Sequence, residues 1–269
     1  MQLEGIHHIS SITADAARNL DFYVRVLGLR LVKKTVNQDE PTVYHLFYAD
    51  ELGSPGADLT FFEYPGARRG RAGAGMVHRI ALRVGSEASL EFWRLRLADE
   101  RIDSVRDGAA LRFADPEGLG LELVVDDSGD PPLTARSPEI PPEHAIRGFA
   151  GVRAYSAAPL RDVLGFTAGD DDGTRWEARG ARRGGFYVYD APPAEPGLGG
   201  AGTVHHVAWA AHDGDIDAWD ERITRAGGHT SGLVDRFWFR SVYFREPSGV
   251  LFEIATLGPG FTADEPLER

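Results

Sequence analysis

The chain has 269 residues, 42% of them hydrophobic and 26% charged, enough for a real core in one large domain or two ordinary ones. Its net charge of −12 excludes a general binder of nucleic acid or anionic membrane, and no apolar run approaches the roughly 20 residues that span a bilayer. Cysteine is absent, which excludes disulfides, thiolate ligands and a cysteine nucleophile; with strand-like sequence directly after Met1, the expectation is a cytoplasmic protein without a signal peptide.

The first module opens on Gly5-Ile6-His7-His8-Ile9-Ser10, which reads as a strand. A helix is expected over 14–27, with Thr13 as N-cap, Leu20, Tyr23, Val24 and Leu27 as its apolar stripe, and Gly28 as its stop. Strands are expected over 29–35, 42–48 and 59–64, giving the order βαβββ. The second module repeats that order: a strand over 76–84, a helix capped by Ser86, and strands ending in Asp115-Pro116-Glu117-Gly118-Leu119-Gly120-Leu121-Glu122. Residues 126–147, rich in Pro, Asp, Ser and Glu, form the expected linker between an N-terminal half (1–125) and a C-terminal half (148–269).

A third, shorter module runs from 148 to about 189, and its Val163-Leu164-Gly165-Phe166 echoes Val26-Leu27-Gly28-Leu29. The fourth begins at Gly202-Thr203-Val204-His205-His206-Val207-Ala208-Trp209 and continues into a helix with Ile216, Trp219 and Ile223 on one side. It closes on Glu246-Pro247-Ser248-Gly249-Val250-Leu251-Phe252-Glu253. Pro247, Gly249 and Glu253 match Pro116, Gly118 and Glu122 without a gap. Four βαβββ units in two related halves define the expected fold as α+β.

Two strands with the same His-His pair, in the first and last modules, point to ligands of one metal. Successive side chains on a strand face opposite ways, so one histidine of each pair faces a given pocket. His8 shares its face with Ser10 and His206 with Ala208, whereas His205 shares its face with the bulky Val207 and Trp209. Small neighbours suit a cavity, which selects His8 and His206; a bulge would exchange the faces. Glu253, between Leu251 and Ala255 on its face, completes two imidazoles and a carboxylate, the facial set of non-haem Fe(II) oxygenases.

If the turn at 246–249 closes a hairpin centred near Ser248, Tyr243 lies directly across from Glu253. That puts a phenol beside the metal, able to hydrogen-bond an oxygen or act as acid or base. Arg236 either holds an anionic substrate group or is a solvated surface residue. His205 and His7 either orient the ligands and move protons or simply pack. In the second module Arg79 and Arg112 stand where His206 and Tyr243 stand in the fourth, which suggests an ion pair on Glu122. The third module offers Ala150-Gly151 against His7-His8, so one metal per chain is expected.

With the two His-His strands and Pro247-Ser248-Gly249-Val250-Leu251-Phe252-Glu253, the chain resembles the vicinal oxygen chelate superfamily of glyoxalases, bleomycin- and fosfomycin-resistance proteins and extradiol dioxygenases. Within it, ligands in the first and last modules resemble the hydroquinone-type ring-cleaving dioxygenases. Residues 59–65 and 236–253 carry that likeness further. The resemblance implies Fe(II), with Mn(II) as the substitute, on His8, His206 and Glu253, and Tyr243, Arg236, His205 and Ser10 lining the pocket. It implies a small aromatic substrate, a hydroquinone or catechol, and O2. It also implies that modules one and four pair around the metal while two and three form a second barrel-like unit. A homodimer is expected on the general frequency of symmetric dimers.

The rival enzyme reading is a glyoxalase-type isomerase or lyase, or a thiol transferase, using Zn, Ni or Mn. It turns on whether Glu63, whose place in the first module corresponds roughly to Glu253 in the fourth, reaches the metal as a fourth protein ligand. A metal-free protein that sequesters a drug or aromatic ligand is the third reading. The His/His/Glu set counts against it.

Overall fold

Alternation of apolar and polar residues, broken by Gly- and Pro-containing turns, produces sixteen strands among the described residues of a computed structural model. The structure describes residues 1–156, 163–169 and 172–266. The first module is β1 (Ile6–Thr13), α1 (Ala16–Leu20), β2 (Arg30–Val36), β3 (Tyr44–Ala49) and β4 (Asp58–Glu63). The second is β5 (Met76–Val84), α2 (Glu87–Asp99), β6 (Ser104–Asp107), β7 (Ala110–Ala114) and β8 (Gly120–Val125). The third is β9 (Phe149–Tyr155), β10 (Thr167–Ala168), β11 (Arg175–Arg179) and β12 (Gly184–Asp190). Residues 157–162, where its helix is expected, lie outside the described residues. The fourth is β13 (Val204–Ala211), α3 (Ile216–Arg225), β14 (Thr230–Asp235), β15 (Arg240–Arg245) and β16 (Leu251–Thr256).

Two eight-stranded sheets result, in the orders β14-β15-β16-β13-β1-β4-β3-β2 and β10-β11-β12-β9-β5-β8-β7-β6. The first joins modules four and one, the second modules three and two. The fold is α+β, as the repeat implies. Neither sheet closes into a barrel through its hydrogen-bond ladder. The outer edges of the first are brought together by side chains instead: Arg236, just past β14, ion-pairs at 2.8 Å with Asp39, in the turn after β2. Residues 126–147 hold one short 3₁₀ turn, Pro142–His144, and no strand.

The first helix differs in detail from the expectation. It starts two residues later, capped by Asp15 rather than Thr13, because the Asp15 carboxylate accepts from the Arg18 N–H at 3.0 Å. It then widens into a π-helical turn over Asp21–Val26 and stops at Gly28, whose φ of +72° needs a residue without Cβ. In the second module Ser86 caps the helix as expected.

Each sheet has a packed face and an open face. Ile9, Val207, Trp209, Phe252 and Ile254 are all buried in the main core shared by both units. The alternating positions of the same strands carry His8, Ser10, His206, Ala208 and Glu253, which face the concave side of the first sheet. No helix among the described residues is long and apolar enough to cross a membrane.

Candidate metal centre

β1 and β13 lie side by side at the middle of the first sheet, antiparallel, with Ser10 paired to His206 and His8 to Ala208. The two histidines are therefore related by the local two-fold between modules. β16 runs parallel beside β13 and places Glu253 opposite Ala208, next to both rings. His8 Nε2 and His206 Nε2 are 3.1 Å apart, and Glu253 Oε2 lies 3.2 and 3.0 Å from them. All three residues are buried. The alternation argument thus brings together the three side chains that it selected.

The donor set fits a divalent ion. Glu253 Oε2 is buried without any donor in hydrogen-bonding geometry, an unfavourable arrangement unless a cation faces it. The rear nitrogens are already engaged: His8 Nδ1 faces His7 Nδ1 at 3.0 Å and His206 Nδ1 faces His205 Nδ1 at 2.8 Å. Both Nε2 atoms are thereby turned toward the carboxylate. The other oxygen, Oε1, accepts from the Ser241 hydroxyl. At a metal–ligand distance of about 2.1 Å, ligands at right angles lie about 3.0 Å apart and ligands at the tetrahedral angle about 3.4 Å. The observed triangle of 3.0, 3.1 and 3.2 Å matches one face of an octahedron.

The electrostatics agree. Burial alone pushes the Glu253 carboxyl up, but the imidazoles, His8 foremost, outweigh it and hold the group ionised well below the usual range. His206 is pulled down, burial outweighing the attraction of Glu253. His8 moves the other way, because for it the carboxylate outweighs burial.

Around this triangle lies a cavity of about 380 Å³, within the range of small-ligand sites. The register pairs Tyr243 with Glu253 across β15 and β16, as the hairpin centred on Ser248 requires. Tyr243 Oη accepts from Arg236 Nε at 3.1 Å, and Arg236 is fixed from behind by Asp39 at 2.8 and 2.9 Å. Arg236, Tyr243, His205 and Ser10 all line the cavity. His7 lies behind it, with Nε2 against the Thr256 carbonyl at 3.1 Å.

Glu63 is elsewhere. Its Oε1 accepts from the Ala16 N–H at 2.9 Å, at the start of α1, and it is not part of the ligand cluster. The true first-module counterpart of Glu253 is Thr60: it pairs with Ser10 across β1 and β4 as Glu253 pairs with Ala208. In the second sheet the same position is Glu122, with Arg112 Nε at 3.4 Å and Arg79 Nη1 at 3.7 Å, the ion pair that the sequence suggested. Sequence reasoning passed over His45, Phe47, Phe62, Trp238 and Phe239, which also line the cavity. Only the alternation of His45 and Phe47 within the strand expected at 42–48 could have flagged part of that wall.

Two imidazoles and a carboxylate thus meet at the seam of paired βαβββ modules, with donor atoms placed as a metal ion would need them. The chain belongs to the Glyoxalase/Bleomycin resistance protein/Dioxygenase superfamily, whose family model matches residues 5–123 and 154–254. It is 40% identical to MhqA of Bacillus subtilis (strain 168), named as a candidate ring-cleaving dioxygenase, over all of this chain and 92% of that protein. It is 32% identical to the chlorohydroquinone/hydroquinone 1,2-dioxygenase of Sphingobium indicum, over all of this chain and 89% of that one. Among solved structures, a candidate dioxygenase from Bacillus subtilis superposes with a TM-score of 0.89 at 37% identity, covering 99% of this chain and 89% of that one. Glyoxalase I from Zea mays shares the fold alone, at 15% identity and a TM-score of 0.64, with coverage of 94% and 92%.

Proposed function

We propose that the protein is a ring-cleaving dioxygenase that acts on a hydroquinone- or catechol-type aromatic with O2. Its metal would be Fe(II), with Mn(II) as the substitute, held by His8, His206 and Glu253. The observation that carries this reading is the asymmetry of the donor set: the position that would supply a fourth ligand, a second carboxylate, is Thr60. Three protein ligands on one face leave room for reactants, whereas a closed four-ligand site suits glyoxalase-type chemistry. When bound, the ion supplies Lewis acidity that lowers the pKa of a phenolic hydroxyl and, as Fe(II), electrons for dioxygen chemistry.

The side chains divide the remaining work. Burial, then the charge of Glu253, pushes the Tyr243 phenol far up, so it stays protonated at neutral pH and donates to an oxygen in the cavity. Partial desolvation, the neighbouring His206 and Arg245 pull His205 down to about 4, so its imidazole is neutral and can accept a hydrogen bond. A phenolic donor and an imidazole acceptor therefore face the same space. Arg236, its charge secured against burial by Asp39 and Tyr243, attracts an anionic phenolate. Phe47, Phe62 and Trp238 offer apolar faces to a planar ring.

A homodimer, a cytoplasmic location and a division into halves 1–125 and 148–269 about the 126–147 linker belong to the same reading. The test is oxygen uptake after anaerobic Fe(II) loading. Stoichiometric consumption with a hydroquinone or catechol, and a ring-opened product, is expected. No uptake together with lyase or thiol-transfer activity would replace this reading with the glyoxalase-type one.

A further inference from the structure

The chemistry above occupies one side of the cavity, where Glu253, Tyr243 and Arg236 meet. The facing side is built from the first module, where Asn37, Gln38 and Tyr64 line the cavity beyond the ends of β2 and β4, and His45 lines it from β3. The strand order β16-β13-β1-β4-β3 puts His45, on β3, two strands beyond His8 and four beyond Glu253. With neighbouring strands about 4.8 Å apart, β3 lies about 10 Å from the strand that carries His8.

His45 is unusually well held for a residue with no part in the ligand cluster. Its ring is clamped between Phe47 and Phe62, at centroid distances of 3.9 and 4.2 Å. Nε2 is tethered to Thr60 Oγ1 at 2.9 Å, and Thr60 Oγ1 in turn to Ser10 Oγ at 2.6 Å. The other nitrogen, Nδ1, has no partner among the described residues, although the ring lines the cavity. Burial holds the imidazole neutral, so it meets a hydroxyl as an ordinary hydrogen-bonding partner rather than as a cation.

The geometry points to His45 Nδ1 as the hydrogen-bond partner of the substrate hydroxyl farthest from the ligand triangle, and hence as the residue that favours a para-dihydroxy ring over an ortho one. The reason is positional and rests on the dioxygenase reading. An ortho pair presents both oxygens at the same end of the ring, where Tyr243 and His205 already wait. A para pair puts the second oxygen at the opposite end, toward β4 and β3. Thr60 and Ser10 are positioning residues here: their hydroxyls anchor Nε2 and so set the direction in which Nδ1 points.

Equilibrium binding under argon to the metal-loaded protein tests this with three probes: hydroquinone, catechol, and phenol, which lacks a second hydroxyl. His45→Ala is expected to weaken hydroquinone about tenfold, the effect of one lost hydrogen bond, and to leave catechol and phenol within about twofold. Thr60→Val is expected to weaken hydroquinone by a smaller factor, and Thr60→Ser to restore it. If His45→Ala does not fold, His45→Phe, which fills the same space between two phenyl rings, carries the same expectation. Equal weakening of all three probes, or none, overturns the assignment. The two readings fail separately: a wild-type protein that consumes O2 with hydroquinone, while the variant binds all probes as before, sinks only the role of His45. A wild type inert to every diphenol sinks the dioxygenase reading itself.

Discussion

Thr60 occupies, in the first module, the register position that Glu253 occupies in the fourth. The two-fold that relates His8 to His206 therefore relates a carboxylate to a hydroxyl. Glu253→Gln is expected to weaken metal binding by more than about a hundredfold, beyond the 10- to 100-fold typical of residues that only support ligands. The metal-free variant should be less stable than the metal-free parent at neutral pH, because the imidazoles of His8 and His206 hold the Glu253 carboxyl ionised well below its usual range and a neutral amide forfeits that attraction. Thermal melts with and without Fe(II) separate the effects. A variant that still gains as much stability from metal as the parent would remove Glu253 from the ligand set.

Tyr243 keeps its proton because burial and Glu253 both oppose its loss. Tyr243→Phe preserves the ring and deletes only the hydroxyl that Arg236 Nε donates to. Turnover should fall by about a hundredfold or more, the range for a proton donor acting in the transition state, with a much smaller change in KM. Steady-state kinetics with saturating O2 measure both. A change confined to KM would mean that the hydroxyl only binds substrate.

Asp39 and Arg236 lie 197 positions apart and join opposite edges of the first sheet. Asp39 is exposed, so the pair contributes only about 0–1 kcal/mol to stability. Its effect should appear in function, since it sets the direction of the guanidinium above the cavity. Asp39→Ala is expected to leave the melting temperature within a few degrees while lowering kcat/KM several-fold. The loss should grow less as salt is raised, because salt screens the same attraction in the parent. A large fall in melting temperature with unaltered kcat/KM would make the contact structural.

What could be read from the sequence was whatever repeats or alternates. The His-His doublets and the matched Pro-x-Gly-x-x-x-Glu hairpins are local, so His8, His206, Glu253 and the cross-strand place of Tyr243 follow from the two-residue period of a strand. The Arg79–Glu122–Arg112 cluster followed by the same superposition of modules. The first-module counterpart of Glu253 was misjudged by three residues, as Glu63 in place of Thr60. β4 is preceded by a long loop rather than by the hairpin that anchors the register of β8 and β16, and a carboxylate was the only visible guide. His45 stayed unmarked because a lone histidine in a strand carries no signal until Thr60 and Ser10, 15 and 35 positions away in number, are seen beside it. The Asp39–Arg236 contact joins two turns at sheet edges, and periodicity is silent on which turns meet.

The hairpin that carries Glu122 contains a carboxylate whose cost should be measurable. Asp115 is buried, accepts backbone N–H bonds from Glu117 at 2.9 Å and Leu119 at 2.8 Å, and receives the Tyr23 hydroxyl at 3.1 Å. Burial nevertheless outweighs these bonds and raises its pKa from 3.8 to about 6. Because the folded value lies above the unfolded one, its favourable contribution is complete below pH ~4 and is lost as pH rises through about 6. At neutral pH this amounts to about 3 kcal/mol of lost stability relative to pH ~4. Asp115→Asn keeps an oxygen for both backbone donors and never ionises. Relative to the parent, the variant should gain stability between pH 4 and 7, by at most that amount, and the difference should flatten above pH ~7. Urea unfolding of both proteins across that range reads the difference directly. A constant difference, or one that grows toward acid, would show that Asp115 is ionised in the folded protein throughout.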